Sequence, residues 1–349
     1  MSGIIADHVS PSSGGQDAEV RCQPPANVRR EVAAYDQRSR IGHWEGPRYR
    51  MTYWILGDGP PLILIPGIAS TYRVYAMLLN RLGERFQTIQ YAYPGEVEHD
   101  GARLQRIRHD HQVEDLIGLA DHLGIERFHL LGISFGSTVA FGAMHRWPER
   151  VRRSAVQGAF ARRRFTAAER IALALGRRIP GTAIRLPLRE TILTYNARMH
   201  FPAILEDRWW FYLEQNGQVS IPGLAHRATL VSRLDLRPIL PQIRVPLLLV
   251  QGREDRIVTM RDFEELRQLM PSAESSLLPT VGHLPHLTHV ELLERVLRAW
   301  LDPSANSACG SEVPSSRDRC PGSVPGTSVL PCSESGCPRE SGETPGPID

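Results

Sequence analysis

Along the middle of the chain, short unbroken runs of apolar residues alternate with stretches whose apolar positions recur every three or four residues. The runs PLILIPG (61–67), FQTIQYAYPG (86–95), RFHLLGIS (127–134), RRSAVQGAF (152–160), PLLLVQG (246–252) and SSLLPT (275–280) predict strands. Unbroken rather than alternating apolarity suits parallel strands covered on both faces. Helical spacing in YRVYAMLLNRLGE, HQVEDLIGLADHLG, FGSTVAFGAMHRW, RDFEELRQLM and HVELLERVLRAWL predicts helices between them. The third stops at Pro148, whose ring cannot continue a helix. Strand, helix and strand in succession predict a parallel α/β sheet. Ahead of it, RYRMTYWILGDGPP predicts a strand running into a GDG turn, an antiparallel hairpin at the sheet edge.

The rhythm breaks once. From Ala161 to Ile243 some 83 residues carry helical patterns and no convincing strand, too many for a structureless loop. They predict a helical insertion lying over the sheet. The ends differ again. Residues 302–349 contain 8 Pro, 6 Gly, 10 Ser and 4 Cys and no aromatic residue, a composition that cannot bury enough surface to offset its ordering entropy. The expected organisation is a disordered N-terminal arm (1–45) with a short helix around Arg29 to Gln37, and a core in two parts (46–160 and 244–301). The helical insertion (161–243) interrupts that core, and a disordered tail (302–349) follows it.

Composition narrows the classes. With 42% hydrophobic and 23% charged residues, the 349-residue chain has ordinary globular composition. Its 41 basic and 38 acidic residues leave only +3, so no polybasic field points to nucleic acid. Every basic residue is arginine, which reads most simply as a coding bias. No basic start with an apolar run marks a secretory signal, and no run of 18 apolar residues marks a membrane span. Cys22, Cys309, Cys320, Cys332 and Cys337 all fall in the two ends, so the body cannot depend on a disulfide. The tail cysteines lack paired CxxC spacing, and no metal site is expected. Cytoplasmic localisation is the expectation.

Chemistry enters at Gly132-Ile133-Ser134-Phe135-Gly136, a G-x-S-x-G directly after a strand and directly before a helix. A serine there occupies a sharp, strained turn, and the flanking glycines let neighbouring backbone approach. The helix behind it aims its N-terminal N–H groups at the reacting centre. A serine hydroxyl needs a base, and the base needs an orienting carboxylate. After PLLLVQG, Asp255 stands at the strand end, with Glu254 beside it as the alternative. After SSLLPT, Val281-Gly282-His283-Leu284-Pro285 offers His283; His286 and His289 fall where the last helix should begin and read as helix-face residues.

With GISFG, GREDRIV and GHLP in this order after their strands, residues 46–301 resemble the α/β-hydrolase superfamily. The resemblance implies a mostly parallel eight-stranded sheet with helices on both faces and a helical cap between the sixth and seventh strands. It implies a catalytic triad of Ser134, Asp255 and His283, with the backbone N–H groups of Phe135 and Ile68 as oxyanion hole. Relatives often carry His-Gly where this chain has Pro66-Gly67, and the glycine that allows the turn is kept. Tyr91-Ala92-Tyr93-Pro94-Gly95-Glu96 departs from the usual aspartate and second glycine, leaving that loop's shape open. Trp209, Trp210 and Phe211 could wall an apolar acyl pocket, or pack the insertion on the core; the arginines from Arg162 to Arg189 read as a solvated face or a carboxylate-recognising one.

The function expected is cofactor-independent hydrolysis of small carboxylic esters or thioesters through an acyl-enzyme. A serine at the elbow excludes the branches that use aspartate there. The elbow also resembles that of proline iminopeptidases, though IPGIA stands where those have HGGPG. Carbon–carbon bond hydrolysis, acyl transfer to an alcohol and a non-catalytic ligand-binding role on the same fold stay open.

Overall fold

The structure, a computed structural model, describes residues 26–302. Residues 1–25 and 303–349, which hold all five cysteines and nearly all of the predicted tail, lie outside the described residues. The elements begin with α1 (Val28–Arg38), β1 (Arg40–Glu45), β2 (Arg50–Leu56), β3 (Pro61–Ile65), α2 (Ala76–Leu82), β4 (Gln87–Tyr91), α3 (His109–His122), β5 (Phe128–Ile133), α4 (Phe135–Arg146) and β6 (Val151–Gln157). Then come α5 (Ala167–Gly176), α6 (Arg189–Ala197), α7 (Glu206–Gly217) and α8 (Ile221–Arg233). The chain closes with β7 (Leu247–Gly252), α9 (Met260–Leu269), β8 (Glu274–Leu278), α10 (Pro285–Thr288) and α11 (Val290–Leu301).

The eight strands form one sheet in the order β1-β2-β4-β3-β5-β6-β7-β8. β1–β2 and β2–β4 pair antiparallel; every later pair is parallel. Both faces are covered, which is why the strands read as unbroken apolar runs. Ile63 and Ile65 join Leu116, Val139 and Val156 in one core. Leu62 and Leu64, alternating with them, join Val32, Leu78, Val250 and Leu293 in the other. Helices α3, α4 and α9 thus contribute to the first core, and α1, α2 and α11 to the second.

Two expectations are corrected at the antiparallel edge. The arm does not extend to residue 45: Val28, Val32 and Tyr35 recur at helical spacing and are buried, and Asn27 caps α1 by accepting from the Arg30 amide at 3.1 Å. After it, RIGHWE pairs with β2 from Arg40↔Ile55 to Glu45↔Arg50. An edge strand draws stability from backbone pairing, so its polar sequence hides it. The hairpin is β1–β2 rather than one built on the GDG turn, because β4 inserts between β2 and β3.

The long excursion between β6 and β7 is helical, carrying α5 to α8. It leaves and returns through one neck. Arg162 and Asp235 form an isolated antiparallel bridge, and the Leu236 N–H donates to the Ala161 carbonyl at 3.0 Å.

Candidate active site

β5 ends at Ile133 and α4 begins at Phe135, leaving Ser134 alone to make the turn. Its backbone adopts φ 52° and ψ −114°, a strained left-handed conformation that neighbours must enforce. They do so through hydrogen bonds. The Ser134 amide donates to the Gln157 carbonyl at 2.8 Å, and its own carbonyl accepts from the Ser137 amide at 2.9 Å and the Ser137 hydroxyl at 2.6 Å. Gly136 lets the turn approach β3, since a methyl there would collide with the Ile65 carbonyl.

Asp255 follows β7 and is anchored by its backbone, its N–H donating to the Gly252 carbonyl at 3.2 Å. Its Oδ1 accepts from the Ile257 and Val258 amides at 2.8 and 2.9 Å. That fixes the carboxylate so that Oδ2 meets His283 Nδ1 at 2.6 Å. The short contact assigns the proton to Nδ1, which donates, and leaves Nε2 with a free lone pair. Glu254 is turned elsewhere, its Oε2 3.7 Å from His200 Nδ1. The His283 ring lies on Gly158, where a methyl would stand 2.9 Å from its Cε1, and the Gln157 amide group donates to the His283 carbonyl at 3.4 Å. The end of β6 therefore touches both Ser134 and His283. Among the described residues no hydrogen bond joins the Ser134 hydroxyl to the His283 ring. Ser134, Asp255 and His283 are all buried, at 9, 5 and 8% exposure.

The loop Pro66-Gly67-Ile68 is held from three sides. The Gly67 amide donates to the Tyr75 hydroxyl at 2.8 Å, and the Tyr93 hydroxyl donates to the Pro66 carbonyl at 2.8 Å. From α8, Arg227 Nε donates to the Ile68 carbonyl at 2.9 Å. The same buried guanidinium pairs with Glu96 and stacks over Tyr93 at 5.2 Å. Burial pushes the Glu96 carboxyl up from its ordinary value, with Arg227 pulling the other way. Tyr75 also leans on His286, ring centroids 4.9 Å apart.

A sequence profile described as the α/β-hydrolase fold matches residues 60–290. The chain belongs to the α/β-hydrolase family. Among relatives of this hydrolase, the pimeloyl-[acyl-carrier protein] methyl ester esterase of Xanthomonas axonopodis pv. citri is 25% identical, covering 71% of this chain and 97% of that protein. The 2-hydroxy-6-oxo-6-phenylhexa-2,4-dienoate hydrolase of Burkholderia cepacia is 22% identical, covering 70% and 88%. In structure the hydrolase is similar to the enol-lactonase of Burkholderia xenovorans LB400, with TM-score 0.65, 21% identity and coverage of 74% and 99%.

The aromatic run of the hydrolase does not form one wall. Trp209 and Phe211 are buried in the second core, Trp209 packing on Phe201 at 5.4 Å between ring centroids. Trp210 is 54% exposed. Successive residues on α7 point about 100° apart, so three in a row cannot share a face. Sequence reasoning missed Tyr75, Tyr93, Glu96 and Arg227. The departure at Tyr91–Glu96 was the one signal: it marks the loop that supplies two of them.

Proposed function

We propose that this α/β-hydrolase cleaves small carboxylic esters or thioesters, with Ser134 as nucleophile, His283 as general base and Asp255 as its orienting partner. His283 Nε2 takes the hydroxyl proton as Ser134 Oγ attacks the carbonyl carbon. The oxyanion of the tetrahedral intermediate is bound by the Phe135 and Ile68 N–H groups. The Gly67 amide is engaged by Tyr75, which leaves the next amide, Ile68, as the donor of that loop. The imidazolium, stabilised by Asp255, then protonates the leaving alcohol or thiol, and the acyl-enzyme forms. Water, deprotonated by His283, attacks the acyl carbon, and the imidazolium returns that proton to Ser134 Oγ as the carboxylic acid leaves. No step calls for a cofactor.

The observation that carries this reading is the 2.6 Å approach of His283 Nδ1 to Asp255 Oδ2 beside a serine held at φ 52°. The serine–histidine bond commonly tightens only when substrate binds. The methyl ester esterase relative supports an ester substrate, and the segment 161–243 is the candidate cap that would shape its pocket. The test compares wild type with Ser134→Ala on p-nitrophenyl acetate and with a fluorophosphonate probe. Loss of labelling, and of kcat by on the order of 10⁶, is expected where serine and histidine act as a unit. Equal rates would overturn the proposal.

A further inference from the structure

Eleven large hydrophobic side chains are exposed among the described residues, and ten of them lie between Ile171 and Trp210. Ile171 and Leu175 stand on α5, a well-capped helix of sequence AAERIALALG that buries none of its residues. Its capping box, Thr166 with Glu169, fixes its first turn. Ile184, Leu188, Ile192 and Tyr195 continue the exposed series through the following turn and α6. Scattered single exposures need no explanation; a run of this kind does.

Charge is as one-sided as apolarity. Between Arg162 and Arg198 the chain has nine arginines and two glutamates, a surplus of seven in a chain whose total is +3. Among the described residues only Arg162 of the nine meets a carboxylate, Asp235 at 3.7 Å. An open cavity of about 420 Å³ where α5 faces the Ala102–Gln105 loop is lined by Arg177 and Arg178 together with Leu104 and Ala174.

We infer that the 165–204 segment docks on an anionic lipid surface. The aliphatic side chains enter the acyl boundary, the arginines meet the headgroups, and the Arg177–Arg178 cavity takes one headgroup's phosphate or carboxylate. A second copy of the chain fits poorly, because a two-fold contact would face this surplus of positive charge with itself. An acidic protein fits less well than lipid. Protein hot spots favour Trp, Tyr and Arg and under-use Leu, whereas seven of the ten exposed residues here are Ile or Leu.

The test uses the full chain in flotation with phosphatidylcholine vesicles and with vesicles that also contain phosphatidylserine. Binding to the anionic vesicles alone is expected. Arg177→Gln with Arg178→Gln should weaken it by roughly thirtyfold. Ile171→Asp with Leu175→Asp should abolish it. Both variants should keep wild-type hydrolysis of a soluble ester and a wild-type circular dichroism spectrum, since Ile171, Leu175 and Arg178 are exposed and Arg177 is only half-buried. Binding by Ser134→Ala should equal that of wild type, so this result is read separately from the catalytic proposal. Three results would overturn the inference: no binding to anionic vesicles; binding that the Asp variant leaves intact, which would point to an acidic macromolecule; or concentration-dependent dimers that the Asp variant dissolves.

Discussion

Arg227 reaches out of α8 and donates from Nε to the carbonyl of Ile68 at 2.9 Å, joining residues 159 positions apart. Its terminal nitrogen holds Glu96, and its plane lies over Tyr93, whose hydroxyl fixes Pro66. One buried side chain from the helical excursion thus sets the loop whose next amide is the proposed oxyanion donor. A planar guanidinium offers fixed donors in two directions at once, which a lysine ammonium does not.

Arg227→Lys should therefore keep the charge opposite Glu96 and lose the grip on Ile68. The expected result is a fall in kcat toward the 10²–10³-fold cost of one oxyanion donor, with KM little changed. Arg227→Met, which removes the cation from the largely buried Glu96 and leaves it only the Ser220 amide, should cost about 3–5 kcal/mol of stability in urea unfolding. Wild-type kcat in Arg227→Lys would show that the loop holds its shape without this contact.

The two carboxylates after β7 make a second comparison. Asp255→Asn keeps the shape, but with its oxygen held by the Ile257 and Val258 amides its NH2 would donate to His283 Nδ1 and select the wrong tautomer, so kcat should fall on the order of 10⁴-fold. Glu254→Gln should leave kcat near wild type, because Glu254 faces His200 instead. Steady-state kinetics on one soluble ester settle both. A larger loss from Glu254→Gln would reverse the assignment.

The sheet is legible in the sequence where strands are buried on both faces, since Ile63 and Leu64 both have to be apolar. β1 is not, because Arg40–Glu45 is held by pairing, by His43 to Thr52 at 3.1 Å and Glu45 to Arg50 at 3.0 Å across the strands, and by Trp44 alone against the core, with no apolar run. Asp255 and His283 can be located because each follows a strand whose run is unmistakable. Arg227 and Glu96, 131 positions apart, cannot: one lies in the apolar stretch IPGLAHRATLV and the other in a loop of departed sequence. A single sequence shows which side chains are unusual and not which of them meet. WWF at 209–211 shows the same limit, since an aromatic run does not say which ring faces water.

Four buried histidines should govern acid stability. Burial lowers His286 to about 3, with His283 adding to it, and lowers His109, His129 and His226 to about 4. In the unfolded chain they titrate near 6.5. Above that value both states are neutral and the full stability is present. As pH falls below it, the unfolded chain binds protons that the folded one refuses, so stability drops until about 4 to 3. Each group adds at most about 1.4 kcal/mol per pH unit. Urea midpoints measured across this range should decline steadily with acid. A midpoint independent of pH there would mean that these rings are already solvated in the fold.

Gly158 offers a way to disturb His283 without touching the triad. It has φ +60°, and an added methyl would lie 2.9 Å from His283 Cε1 and 3.6 Å from Asp255 Oδ2. Gly158→Ala must then pay left-handed strain of about 1–2 kcal/mol and push the ring aside. Gly124, at φ +68° with nothing within 4 Å of an added methyl, carries the same strain and no contact. Both alanine variants should lose similar thermal stability. Only Gly158→Ala should lose kcat, on the order of 10²-fold for a displacement near 1 Å, because the base no longer lines up with Ser134. If the two variants kept equal kcat, the position of the ring over Gly158 would have no bearing on catalysis, and His283 would not be the base.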